Sequence, residues 1–230
     1  MKTVALIVAG GSSERFGGEL PKQFVEIAGK PLLSHTISKF EQADSIDEIV
    51  LVVAEEYLQY TTEHIIDPYH FHKVIKVVSG GQTRRQSVLK GLQALSANTD
   101  FVAIHDAARP LISVNDINRV TEVAQKEKSA LLAVQSVDTV KFSSDTYIEK
   151  SIDRKKIYSA QTPQVFAYNQ IKEAHESFDG DESLITDDAS LLELQHIQVK
   201  LVEPTSYNFK ITTPADFELA EMLLRKEQNE

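Results

Sequence analysis

Cysteine is missing from this sequence, so neither a disulfide framework nor a cysteine-based metal site can form. That absence fits a reducing, cytoplasmic compartment. Long hydrophobic runs are missing too: none approaches the roughly 20 apolar residues needed to cross a bilayer. No Pro/Gly/Ser-rich linker, low-complexity stretch or internal repeat divides the chain, and residues 1–230 read as one domain. Positive charge is in deficit, with 24 Lys and Arg against 34 Asp and Glu and a net charge of −10. A diffuse acidic surface repels nucleic acid and anionic membrane, and neither is expected as a partner. A polyanionic ligand on such a chain needs a local basic cluster, which directs attention to Lys and Arg near turn signals.

What is present is an alternation of short apolar runs and helical patterns. Val4 to Ala9, after Met1-Lys2-Thr3, superficially resembles a secretory leader. The run is short, lacks a cleavage-like site and leads into a glycine-rich loop, so it reads as a buried first strand. Strands are expected at 3–9, 48–54, 74–78, 101–105, 130–134 and 197–202. Runs such as Ile49-Val50-Leu51-Val52-Val53 lack polar alternation, the mark of parallel strands covered on both faces. Leu33, Ile37 and Phe40 repeat at helical spacing, as do Val88, Leu92 and Leu95. Ser113 to Asp116 reads as a capping box opening a helix that ends near Lys128, and Thr213-Pro214 opens another. The expected fold is α/β, a doubly wound and mostly parallel sheet with ligands at the carboxyl ends of its strands. Residues 137–150 break the alternation: two short β runs flank Ser143-Ser144-Asp145 with no helix between them. This β-hairpin is either a surface flap or an arm that embraces a second subunit.

Four clusters carry possible chemistry. The loop after the first strand runs from Ala9-Gly10-Gly11 through Arg15 to Lys22. Its glycines allow backbone N–H groups to approach phosphate oxygens, and the two cations add charge at the same strand end. It is neither a Walker A loop nor a dinucleotide fingerprint, and an ordinary loop remains open. Gly80-Gly81-Gln82-Thr83-Arg84-Arg85-Gln86-Ser87 follows the third strand and places Arg84 and Ser87 on one helical face. His105-Asp106-Ala107-Ala108-Arg109-Pro110 ends the fourth strand. There Asp106 can hold a hydroxyl or a Mg²⁺–phosphate assembly and Arg109 can grip a phosphate, while His105 reads as structural. Asn208 to Thr213 places Lys210 on a short strand before the last helix. Asp153-Arg154, Gln161 to Gln164 and Thr186 to Ser190 are polar stretches without a generic motif.

Taken in this order, the clusters resemble the 2-C-methyl-D-erythritol 4-phosphate cytidylyltransferase family over about residues 3 to 224. The most specific pieces are Pro21-Lys22-Gln23, His105 to Pro110, Ala160 to Gln164, Thr186 to Ser190 and Asn208 to Thr212. The resemblance implies transfer of CMP from CTP to methylerythritol 4-phosphate, with release of pyrophosphate, assisted by Mg²⁺ or another divalent cation. It implies catalytic roles for Arg15, Lys22, Arg154 and Lys210, and CTP binding by Ala9, Gly10, Gly11, Gly81, Arg84 and Ser87. Asp106, Arg109, Thr139, Arg154 and Lys210 would hold the acceptor, and Asp106 is a candidate metal ligand. The 137–150 hairpin would be a homodimer arm carrying Thr139 and Arg154 to the neighbour's site. Two departures stand out: Ala9-Gly10-Gly11 replaces the family's Ala-Ala-Gly, and Gln82 stands where an acidic residue is common. The first resembles ribitol 5-phosphate enzymes, the nearest alternative. Ala107-Ala108 and Val137 to Lys141 favour methylerythritol phosphate. A non-catalytic nucleotide-binding regulator is the alternative outside the enzymes.

Overall fold

The computed structural model describes residues 1–11 and 20–229. Arg15 therefore lies outside the described residues. The strands are β1 (Thr3–Ala9), β2 (Glu26–Ile27), β3 (Lys30–Pro31), β4 (Glu48–Val53), β5 (Val74–Ser79), β6 (Phe101–Asp106) and β7 (Ser129–Gln135). They continue with β8 (Val140–Phe142), β9 (Lys150–Ile152), β10 (Tyr158–Ala167) and β11 (Lys200–Val202). The helices are α1 (Leu32–Gln42), α2 (Leu58–Thr61), α3 (Asp67–Tyr69), α4 (Arg84–Ala94), α5 (Val114–Glu127), α6 (Tyr168–Ser177), α7 (Ala189–Leu194) and α8 (Pro214–Gln228).

Seven strands form the main sheet in the order β11-β7-β10-β6-β1-β4-β5. All its pairings are parallel except those of β10, which runs antiparallel to β6 and β7. β1 shows why the apolar runs lack alternation. Ala5, Ile7 and Ala9 pack on one face with Leu33, Ile37 and Phe40 of α1 and Ile117, Val120 and Ala124 of α5. Val4 and Leu6 pack on the other with Val88 and Leu92 of α4, Ile171 of α6 and Leu192 of α7. Each of the larger side chains, Val, Leu, Ile or Phe, contributes about 1.5–3 kcal/mol on burial, so covering both faces is the main driving force for the layers. A third cluster seats Ala220 and Leu224 of α8 on Ile27, Leu32, Leu111 and Ile211.

Gly91 sets the approach of α4 to the sheet. A Cβ there would fall 2.5 Å from Leu6 Cδ1 and 2.9 Å from Val52 Cγ2, so any larger residue forces these side chains or the helix to shift.

Five local expectations need correcting. The longest strand, β10, lies where the sequence shows polar Gln161, Thr162 and Gln164 beside Pro163. Its pairing with β7 shifts register between Ala160 and Gln164, and that irregularity accommodates a proline with no N–H to give to the ladder. The run expected at 197–202 is a strand over Lys200–Val202 alone. Lys210 lies outside any strand, on a segment joined to its surroundings by Ile211 N–H donating to the Ala108 carbonyl (2.8 Å). Ser113 does cap α5, accepting from Asp116 N–H at 3.0 Å, but the reciprocal half of the box is absent. The Asp116 carboxylate instead accepts from Thr205 and Ser206, tying down the loop before Lys210. The full box is at Thr213 and Asp216, at the start of α8. The hairpin exists, but its strands are β8 and β9, two residues later at the far end than the expected 137–150.

Candidate active site

The chain winds from β1 through β4 to β5 on one side of the sheet, then crosses to β6 on the other side of β1. A crevice is expected at the carboxyl ends of the strands where winding reverses. A cavity of about 480 Å³ lies there. Ala9, Gly10, Gly11, Gly81, Arg84 and Ser87 line it together with Lys22, Asp106 and Lys210.

Local chemistry shapes each wall. Pro21 leads into a single 3₁₀ turn, Lys22–Phe24. Gln23 Nε2 donates to the Ala9 carbonyl at 2.6 Å, holding that turn against the end of β1. Lys22 Nζ reaches across to the Ile211 carbonyl at 2.6 Å. On the opposite wall Thr83 caps α4 by accepting from Gln86 N–H (3.2 Å), and Ser87 Oγ accepts from Gly81 N–H (3.0 Å). Gly81 is required by this close approach, because a Cβ would sit 2.4 Å from Gln86 Cβ and 3.1 Å from its backbone carbon. The amino end of α4 therefore faces the cavity with its partial positive charge beside Arg84.

Asp106 is the electrostatic centre. Arg84 Nε donates to Oδ1 at 3.1 Å and Lys210 Nζ to Oδ2 at 2.9 Å, while Arg109 Nε lies 3.9 Å from Oδ2. Burial by itself would raise the carboxyl's pKa, but Arg84, Lys210 and Arg109 overcome it and hold the group well below the usual carboxylate range. Asp106 N–H donates to Thr162 Oγ1 at 3.0 Å, so the irregular stretch of β10 fixes the aspartate's backbone. Asn208 completes the frame: its Nδ2 donates to the Thr162 carbonyl (2.8 Å), and its own carbonyl accepts from Arg109 Nη1 (2.7 Å).

His105 is fully buried and faces away from the cavity, with Nε2 3.2 Å from the Arg109 carbonyl and its ring against Phe40. Burial lowers its pKa to about 3, so it stays neutral and structural. Both Asp106 oxygens are engaged by cations, so in this arrangement the carboxylate serves Arg84 and Lys210. Among the described residues no cluster of three or more His, Asp or Glu is placed to hold a metal ion.

Arg109 stands behind Asp106 under Asn208 rather than on the cavity wall. Thr139 and Arg154 are exposed near the hairpin and do not line the cavity of their own chain; Arg154 Nη1 donates to the Val137 carbonyl at 2.6 Å. Sequence reasoning left Gln23, Thr162, Asn208 and Asp188 without roles. Asp188 is fully buried and its Oδ2 lies 2.8 Å from Arg84 Nη2. The available signal was an Asp-Asp pair directly before an apolar helix, since a buried acid must find a cation.

Glycine backbone, a helix amino terminus and gathered cations suit a nucleoside triphosphate and its leaving pyrophosphate, and the class this fold and cavity define is nucleotidyltransferase. The model of the IspD family, 2-C-methyl-D-erythritol 4-phosphate cytidylyltransferase, matches residues 3–226. The chain is 41% identical over 232 residues to the 2-C-methyl-D-erythritol 4-phosphate cytidylyltransferase of Geotalea uraniireducens, covering 100% of both. It is 41% identical to that of Clostridium acetobutylicum, covering 96% of this chain and 97% of the relative. Among solved structures, 4-diphosphocytidyl-2C-methyl-D-erythritol synthase from Anaerococcus prevotii superposes with a TM-score of 0.85 at 30% identity, covering 97% of this chain and 96% of that one. The chain belongs to the 2-C-methyl-D-erythritol 4-phosphate cytidylyltransferase family.

Proposed function

We propose that the protein transfers CMP from CTP to 2-C-methyl-D-erythritol 4-phosphate, giving 4-diphosphocytidyl-2-C-methyl-D-erythritol and pyrophosphate. This is a step of non-mevalonate isoprenoid precursor synthesis, carried out in the cytoplasm. The observation that carries the reading is the cavity itself, where Lys22, Arg84 and Lys210 meet glycine backbone at the sheet's switch point. A phosphate oxygen of the acceptor attacks the α-phosphorus of CTP in line; the new P–O bond forms as the bond to pyrophosphate breaks. A phosphate monoester has a second pKa near 6 and is largely dianionic at neutral pH, so it needs no general base. The neutral, enclosed His105 agrees with that economy. The main obstacle is repulsion between two polyanions, and preorganised cations lower it.

Mg²⁺ enters this reading as part of the substrate, Mg·CTP, because Mg²⁺ is commonly held through phosphates with few protein ligands. Asp106 then serves to position Arg84 and Lys210. Arg15 joins Lys22 at the triphosphate by family resemblance.

The homodimer is also part of the proposal. Val137 and Tyr147 are each 78% exposed and Ile148 66%, an apolar surface on and beside the hairpin that a second copy would cover. The same docking would bring Thr139 and Arg154 to the partner's acceptor site. Pyrophosphate release from four nucleoside triphosphates, crossed with methylerythritol 4-phosphate and ribitol 5-phosphate, tests the activity. Release confined to CTP with methylerythritol 4-phosphate is expected. Preference for ribitol 5-phosphate, or no release from any pair, would overturn it.

A further inference from the structure

The Arg84 guanidinium is gripped from two sides. Asp106, on the cavity wall, accepts a hydrogen bond from Nε at 3.1 Å; Asp188, behind the cavity, forms an ion pair with Nη2 at 2.8 Å. Nη1 takes part in neither contact. The Arg84 side chain keeps 30% of its surface open, whereas that of Asp188 keeps 1%. On the far side of Asp188, His175 Nε2 lies 3.2 Å from Oδ1, within ion-pair distance but off the angle of a hydrogen bond. His175 is itself buried at 1% exposure, and its carbonyl accepts from Arg85 Nη1 at 3.0 Å.

Burying Asp188 is costly, and the surrounding chain is built to do it. Gln164 Oε1 accepts from Ala189 N–H at 3.1 Å and Gln164 Nε2 donates to Asp187 Oδ2 at 2.7 Å, which pins both neighbours of Asp188 to β10. Such an investment in one buried acid calls for a purpose beyond packing, since an apolar residue would fill the space at lower cost. Asp106 alone cannot fix Arg84. Its other oxygen is shared with Lys210, and an arriving anion competes for both cations. A second carboxylate out of the ligand's reach holds the guanidinium from behind by charge, and a preorganised arginine loses less freedom on binding.

We infer that Asp188 is a positioning residue for nucleotide binding, acting through Arg84, with His175 as its support. The inference rests on the reading of this cavity as the CTP site and adds the residue that aims its arginine.

The test is Asp188→Asn in the full-length enzyme, with CTP binding followed by calorimetric titration and both KM values by pyrophosphate release. KM and Kd for CTP should rise about tenfold, while KM for methylerythritol 4-phosphate changes less than about twofold. In an Arg84→Ala background the same substitution should add less than about twofold to the CTP defect, because residues acting through one contact are not additive. His175→Gln should give the same CTP-selective pattern at about threefold, and it carries the test if Asp188→Asn fails to fold. Equal losses for both substrates, or a full Asp188→Asn effect in the Arg84→Ala background, would overturn the inference alone. An Arg84→Ala enzyme that binds CTP normally would overturn the site reading and the inference with it.

Discussion

At the cavity, Asp106 is buried and meets neighbouring Arg109 together with Arg84 and Lys210, which come from far along the chain in either direction. Near the hairpin, Arg154 is exposed and its guanidinium rests on the Val137 carbonyl, 17 residues away. The difference follows from solvent. A buried carboxylate costs several kcal/mol unless cations reach it, so the fold must bring them, and the geometry is complete within one chain. An exposed arginine is satisfied by water, so its position is free to be set by whatever docks on it.

The largest expected effect is at the cavity. Lys22→Ala should lower kcat by about 10²-fold or more, read by single-turnover pyrophosphate release. A near-normal rate would break the comparison, because the cavity's cations would then be ornamental. Next comes Arg154→Ala, which should raise KM for the acceptor about tenfold and leave the Kd for CTP unchanged. Equal damage to both substrates would move Arg154 from the acceptor to the general frame. Third, Gly91→Ala should cost about 1–3 kcal/mol in urea unfolding through its contact with Leu6, with both KM values preserved in the folded protein. That result separates the scaffold behind the cavity from the cavity's own chemistry.

The smallest effect is at the start of α8. Hydrogen bonds from Thr212 and Thr213 lower the Asp216 pKa from 3.8 to about 2. The unfolded chain binds the proton more readily, so Asp216 stabilises the fold above about pH 3.8, and that contribution fades as pH falls towards 2. Wild type should melt a few degrees above Asp216→Asn at neutral pH, and the gap should close across this acid window. A gap that persists at pH 2 would mean the carboxylate's charge is irrelevant to the cap.

Much of this was legible because chemistry and pattern coincide. β1, β4, β5, β6 and β7 are largely apolar runs, and Gly10 and Arg84 follow strand ends while Asp106 closes β6, where ligands gather. β10 was not legible, because Pro163 and its polar neighbours hide a strand whose partners come from residues 101–104 and 129–135. Lys210 could be seen as a cation, but its attachment to Asp106, 104 positions earlier, is a tertiary fact. Asp188 was visible only as one acid in a polar stretch. Its meaning depends on Arg84, and no local spacing relates residues 84 and 188.

The reach of those attachments has a consequence for assembly. Lys22 holds the carbonyl of Ile211, 189 positions away, and the neighbouring Lys210 neutralises Asp106. Contacts of such sequence separation carry the greatest loop-closure penalty. The segment around Asn208 to Thr212 thus gives Asp106 one of its counter-ions, so the contact that ties the end of the chain to its beginning also completes the charge at the centre of the cavity.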